Sequence, residues 1–149
     1  MGRGSGTDAR PEVTVLIDTS AWIEYFRGTK SELTDAVQEL GAPGAEFRTC
    51  GPVTMELLAG ARDPAALDTI SGILGWGSDI PCNTNAFEDA AALYRLCREA
   101  GFSIRSIVDC LIASLALSQD AVLLHNDRDF NAISRVVPLR IHPASLGSS

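Results

Sequence analysis

Residues 13–22, VTVLIDTSAW, decide how the rest of the chain is read. Val13 to Ile17 is a short, unbroken apolar run rich in β-branched residues, the mark of a strand buried on both faces. Asp18-Thr19-Ser20 follows at once with side chains that cap helix N-termini, so a helix is expected through Phe26 and stops at Gly28. A strand that hands straight over to a helix is the unit of an α/β fold. Here it leaves a carboxylate, Asp18, at the carboxyl end of the strand.

The alternation continues outward from this unit. Ser31–Leu40 reads as a helix closed by the Gly41–Gly44 turn, and Phe47–Cys50 as a strand. Gly51-Pro52 opens a helix to about Gly60, with proline where its missing N–H costs nothing, and Pro64–Leu74 is a further helical segment. Trp76–Ile80 reads as a short strand. Asn85–Ala100 is an amphipathic helix with Phe87, Ala91, Tyr94 and Cys97 as its apolar face. Ser106–Ser118 is apolar almost all round and is expected at the centre. Ala121–Leu124, Asp127–Ser134 and Leu139–Ile141 complete a strand, a short helix and a last strand. Trp22, Phe26 and Tyr94 sit at helical spacings and read as core. Strands alternating with helices imply a mostly parallel sheet covered on both faces.

The bulk numbers agree with one such domain. At 149 residues and 46% hydrophobic content the chain can build a single core without staples. Residues 1–11 read as a flexible lead-in, 12–143 as the domain and 144–149 as a loose C-terminus. The richest apolar run, Ile107–Leu117, is too short to span a membrane and carries Asp109, and MGRGSGTDAR lacks the apolar stretch of a secretory signal. Cys50, Cys82, Cys97 and Cys110 show neither CxxC nor zinc-like spacing, which fits reduced thiols in the cytoplasm. A net charge of −7 argues against a broad electrostatic grip on nucleic acid. The basic residues are eleven arginines and the single Lys30; arginine suits bidentate phosphate contacts, although biased codon usage explains the ratio equally well.

Four acids stand in apolar contexts where a solvated carboxylate has little reason to be: Asp18, Glu56, Asp109 and Asp127. In a parallel α/β sheet, sites form outside the carboxyl ends of the strands. Asp18 follows the first strand, Glu56 lies one turn into the helix after the second, and Asp127 follows the strand at Ala121–Leu124. Asp109 opens the helix leading into that strand, which puts it at the same end. Taken singly, capping and turn chemistry account for Asp18, Asp127 and the nearby Asp129. Glu56 and Asp109 are evenly balanced between roles. Glu56 has Pro52 and Gly60 at i±4, hence no local cationic partner, while Arg105 at i−4 could pair with Asp109. Taken together, capping does not require four acids at one end of one sheet. Two carboxylates about 5 Å apart repel by about 3 kcal/mol at an effective dielectric near 20, so such a cluster calls for a cation. Other chemistry finds no support: His125 reads as a strand-end residue with a satisfied ring, His142 lies near the C-terminus, and there is no Walker A and no GxGxxG after a strand.

The pieces LIDTSAWIEYF, GPVTMELLAGAR, SIVDCLIASLAL and LLHNDRDF, in this order and spacing, resemble the PIN-domain ribonucleases, most closely the VapC-type toxins of toxin–antitoxin pairs. The resemblance covers roughly Val13 to His142. It implies a PIN-like three-layer α/β/α sandwich, a Mg²⁺- or Mn²⁺-dependent endoribonuclease, a cognate VapB-like antitoxin and a homodimer. It carries catalytic roles onto Asp18, Glu56, Asp109 and Asp127, with Asp18 and Asp109 as direct metal ligands and Glu56 or Asp127 orienting a water. Family members vary between two acidic positions in the last motif, so the resemblance leaves the fourth role open between Asp127 and Asp129, and His125 stands where similar sequences often have threonine. Arg27, Arg105 and Arg128 are the arginines nearest the motifs and the first candidates for RNA phosphates. The rival readings are a catalytically silent PIN-like module binding protein or RNA, which the four intact acids oppose, and a phosphotransfer domain, which this chain's lack of an acidic pair after the first strand opposes.

Overall fold

A computed structural model describes residues 13–145; the expected lead-in at 1–11 and residues 146–149 of the expected loose C-terminus lie outside them. Five strands, β1 (Val15–Ile17), β2 (Arg48–Cys50), β3 (Ser78–Ile80), β4 (Val122–Leu124) and β5 (Arg140–Ile141), alternate with helices. The helices are α1 (Thr19–Phe26), α2 (Glu32–Leu40), α3 (Gly51–Ala59), α4 (Pro64–Leu74), α5 (Thr84–Glu99), α6 (Ile107–Ser118) and α7 (Arg128–Ser134). The strands form one sheet in the order β3-β2-β1-β4-β5, every neighbouring pair parallel. The architecture is the expected three-layer α/β/α sandwich.

The topology follows from where the apolar runs lie. The central strands β1 and β4 are buried at every position, and Leu16, Ile17, Leu123 and Leu124 have no exposed surface. Each such side chain contributes about 1.5–3 kcal/mol of burial energy. The edge strands β3 and β5 carry Ser78, Asp79 and Arg140, which face water. From β1 the chain moves outward through β2 to β3, then returns to the other side of β1 for β4 and β5. The order therefore reverses between β1 and β4, and the crevice outside their carboxyl ends is where such sheets place a site.

Two glycines fix the path. A Cβ on Gly77 would lie 2.4 Å from the ring of buried Phe47, so only glycine lets β3 close onto β2. Gly101, at φ 92°, ends α5 in a Schellman turn with Phe102 N donating to Cys97 O at 2.9 Å and Gly101 N to Arg98 O at 3.0 Å. That turn, with Ile104 buried behind it, aims the chain at Arg105 and α6.

Three expectations need correction. The buried face of α5 is Ala86, Ala90, Leu93 and Cys97, with Phe87 58% exposed and Ala91 facing out. The face is chosen by α6, the helix on which α5 packs most extensively, and small alanines let the two approach. Phe26 is 38% exposed rather than core, although its ring stacks on fully buried Trp22. Tyr94 is half-buried and packs at the edge of the core. Helix α6 is central as expected, touching α5, α7, α3 and β4. All four cysteines are free; burial pushes the Cys50 and Cys110 thiols up to about 12, so both stay neutral core residues.

Candidate active site at the carboxyl end of the sheet

Asp18 is placed by the sheet and by its own cap. Its backbone N–H donates to Leu124 O at 2.9 Å, which carries the β1–β4 ladder one residue past β1. Its Oδ2 accepts from the Ser20 backbone N–H at 2.9 Å and from the Ser20 hydroxyl, so the capping role read from sequence is real. The Ser20 hydroxyl in turn accepts from Asn126 N–H at 2.9 Å, tying the start of α1 to the loop after β4. Oδ1 of Asp18 is buried and has no hydrogen-bond partner. Burial pushes this carboxyl up to about 6; the Ser20 hydrogen bonds oppose the rise, and the charges of Glu56 and Asp127 add to it.

The other acids meet it there. Glu56, half-buried on α3, accepts from the Thr19 hydroxyl at 2.7 Å. Asp109 sits in the first turn of α6 and is 8% exposed. Burial foremost, then the charges of Asp18, Asp127, Asp129 and Glu56, push it up to about 8. Asp127 caps α7, its Oδ1 accepting from Asp129 N–H at 3.0 Å, and its own N–H donates to Nδ1 of buried His125 at 3.0 Å. Asp129 is 6% exposed. Burial pulls the His125 imidazole down to about 4, so it is neutral and serves as a backbone acceptor.

All four expected acids, and Asp129 with them, thus feel one another at one end of the sheet. The tightest group among the described residues is Asp109, Asp127 and Asp129, each with an oxygen within 4.8 Å of the others; Asp18 acts on it through its charge rather than as a member. Arg105 does not pair with Asp109. Its Nη2 donates to Asp127 Oδ1 at 2.8 Å, and both its Nε and its backbone N–H donate to Asp129 Oδ2 at 3.1 Å. Of the other arginines near the motifs, Arg27 pairs with Glu24 at 3.0 Å and Arg128 is exposed at the start of α7. Sequence reading missed Thr19 and Ser20 as supports of the acids; their only local signal was the Asp-Thr-Ser cap itself.

The donor set is wholly hard oxygen, which suits a small hard divalent cation. An unpartnered buried carboxylate oxygen on Asp18, and an Asp109 carboxyl driven up by burial and then by its neighbours' charges, mark a cluster that protein groups alone leave uncompensated. The residues fit such a cation. Beside Glu56 an apolar cleft of about 520 Å³ opens between α1, α3 and α4, lined by Ile23, Phe26, Leu57 and Ile70.

A sheet of this order with an acid cluster at its switch point defines the class, and comparison with known proteins agrees. The PIN domain family model matches residues 15–136. Ribonuclease VapC11 of Mycobacterium tuberculosis is 41% identical over 128 residues, covering 85% of this chain and 96% of that protein. VapC ribonuclease Mb1587 of Mycobacterium bovis matches to the same extent, 41% over 128 residues with 85% and 96% covered. The solved structure of VapBC-1 from nontypeable Haemophilus influenzae superposes with a TM-score of 0.69 at 20% identity, covering 87% of this chain and 97% of that one. The chain belongs to the PIN-domain family and, within it, to the VapC ribonucleases. Among the described residues no helix is long and apolar enough to cross a membrane.

Proposed function

We propose that the protein is a Mg²⁺- or Mn²⁺-dependent endoribonuclease, the toxin of a toxin–antitoxin pair acting in the cytoplasm. The observation that carries this is the convergence of Asp18, Glu56, Asp109, Asp127 and Asp129 at the switch point of the sheet, with Asp109 raised by burial first and then by the charges of the other four. RNA as substrate and an antitoxin as partner are supported by relatives named VapC ribonucleases and by solved VapBC assemblies of the same fold. The apolar cleft beside Glu56, with Ile23 and Phe26 exposed on it, supports a protein partner seated next to the site. A homodimer remains part of this reading.

Asp18, Asp109 and Asp127 would hold the cation, which when bound supplies charge neutralisation at the phosphoryl oxygens and makes water more acidic. The residues do the rest. Ser20 holds one oxygen of Asp18 and leaves the other for the cation. Thr19 fixes Glu56 by its Oε1, so the second oxygen is left to orient or accept a proton from the attacking water. Ile112 and Ala113, one turn along α6 from Asp109, are fully buried, so the helix behind that carboxylate is dry.

The test is cleavage of total cellular RNA by the purified protein with Mg²⁺ or Mn²⁺, against EDTA and an Asp109→Asn control. Cutting that needs both metal and carboxylate is expected. A folded, antitoxin-free protein that cuts nothing with either metal supports instead the silent binding module.

A further inference from the structure

Arg105 is the one basic side chain that makes salt bridges to the cluster among the described residues. A surface arginine paired with two acids is ordinarily worth little, and its side chain is 60% exposed. Three features set it apart. Its acids are not surface acids: the Asp129 side chain is 9% exposed and that of Asp127 25%. Backbone and side chain of one residue converge on the same oxygen, Asp129 Oδ2. And the Schellman turn at Gly101 with buried Ile104 fixes the peptide that delivers it. The result is a fork whose Nε serves Asp129 and whose Nη2 serves Asp127.

We propose that Arg105 is a positioning residue that divides the acidic cluster. It holds Asp129 by Oδ2 through two donors, one of them its own backbone N–H, and engages Asp127 by Oδ1 through one, leaving Asp109 and the second oxygen of Asp127 to meet the cation. This rests on the nuclease reading above and assigns Asp127, not Asp129, as the fourth working acid. A single cationic fork thereby keeps two neighbouring carboxylates in unlike roles, where repulsion would otherwise drive them apart or leave them interchangeable.

The test measures Mn²⁺ affinity by titration calorimetry and RNA cleavage at saturating Mn²⁺ on the purified full chain. Arg105→Gln removes one positive charge and frees Asp129, so Mn²⁺ is expected to bind at least about threefold tighter while cleavage falls about tenfold or more. A residue that only braces the fold would not move the two in opposite directions. Asp127→Asn is expected to weaken Mn²⁺ about tenfold and Asp129→Asn to change it by less than about threefold. The double variant Arg105→Gln with Asp129→Asn restores the local charge and is expected to return Mn²⁺ affinity to within about twofold of wild type. If Arg105→Gln melts below the assay temperature, Arg105→Lys replaces it; it keeps charge without the fork and is expected to bind Mn²⁺ like wild type yet cut slowly. Loss of Mn²⁺ binding by Asp129→Asn equal to that of Asp109→Asn makes Asp129 a ligand and overturns the division. Unchanged affinity and cleavage in the Arg105 variants reduce it to an exposed ion pair. In both cases a wild type that binds Mn²⁺ and cuts RNA leaves the nuclease reading standing, whereas a wild type that binds no Mn²⁺ ends both.

Discussion

Asp127 and Asp129 meet the forked guanidinium of Arg105, whereas Asp18 and Asp109 lie in the same cluster with no cationic side chain paired to either among the described residues. The first pair is compensated as the chain folds. The second is held up to about 6 and about 8 by burial and by its neighbours, and it becomes comfortable only by taking a proton or a cation. Asp18 and Asp109 depend on a proton or a cation for relief, whereas Asp127, which meets Arg105 through Oδ1 alone, stands between the two groups.

Asp109→Asn separates the two pairs most strongly. Cleavage is expected to fall by about 1000-fold or more, since several kcal/mol of charge stabilisation are lost with it. The same variant should melt higher than wild type in EDTA at pH 8, because an uncompensated charge has been removed. A variant that cuts normally, or that melts lower, would place the working half of the cluster elsewhere.

The pH dependence of stability sharpens the contrast next. Asp18 and Asp109 have folded values above the ordinary 3.8, so below about pH 4 both states hold the protons and nothing is gained or lost. As pH rises through that range toward about 6 and then about 8, the unfolded chain releases protons that the folded one retains, and stability falls. Urea melts in EDTA should show wild type losing stability relative to Asp109→Asn between pH 5 and pH 8. Saturating Mn²⁺ should reverse that trend by binding the folded carboxylates. A difference that stays flat with pH contradicts the raised carboxyl.

Smaller effects come from the supports. Ser20→Ala strips a hydrogen bond from Asp18 and leaves the Asn126 N–H without its partner, at a cost of about 1–3 kcal/mol in chemical denaturation. Thr19→Val keeps the shape of the side chain and deletes only the 2.7 Å bond to Glu56, so stability should drop by about 1 kcal/mol or less. Cleavage should slow a few-fold in that variant, as Glu56 gains freedom, and an unchanged rate would mean that Glu56 needs no such anchor.

Much of this was legible along the chain because it is local. The helix caps at Asp18 and Asp127 act within two residues, and both are used. The buried runs of β1 and β4 can only be central strands, which places the acids that follow them. The face of α5 was not legible, since Phe87 and Tyr94 on one side compete with Ala86, Ala90 and Leu93 on the next, and the helix that covers it decides. Phe26 illustrates the same point at a rim, where a ring can stack on Trp22 and still meet solvent.

By itself, then, the sequence determined the order of elements, the parallel sheet and the end of it at which the carboxylates gather, because periodicity, capping and chain connectivity act over short stretches. Only the tertiary structure decided how those carboxylates are shared out. Arg105 lies just before the start of α6, where the i, i+4 rule of a helix does not reach, and it turns from Asp109 to residues 22 and 24 positions away. Thr19 finds Glu56 across 37 residues and Ser20 finds Asn126 across 106. Which charge is answered and which is left bare depends on distances in space that no local pattern encodes.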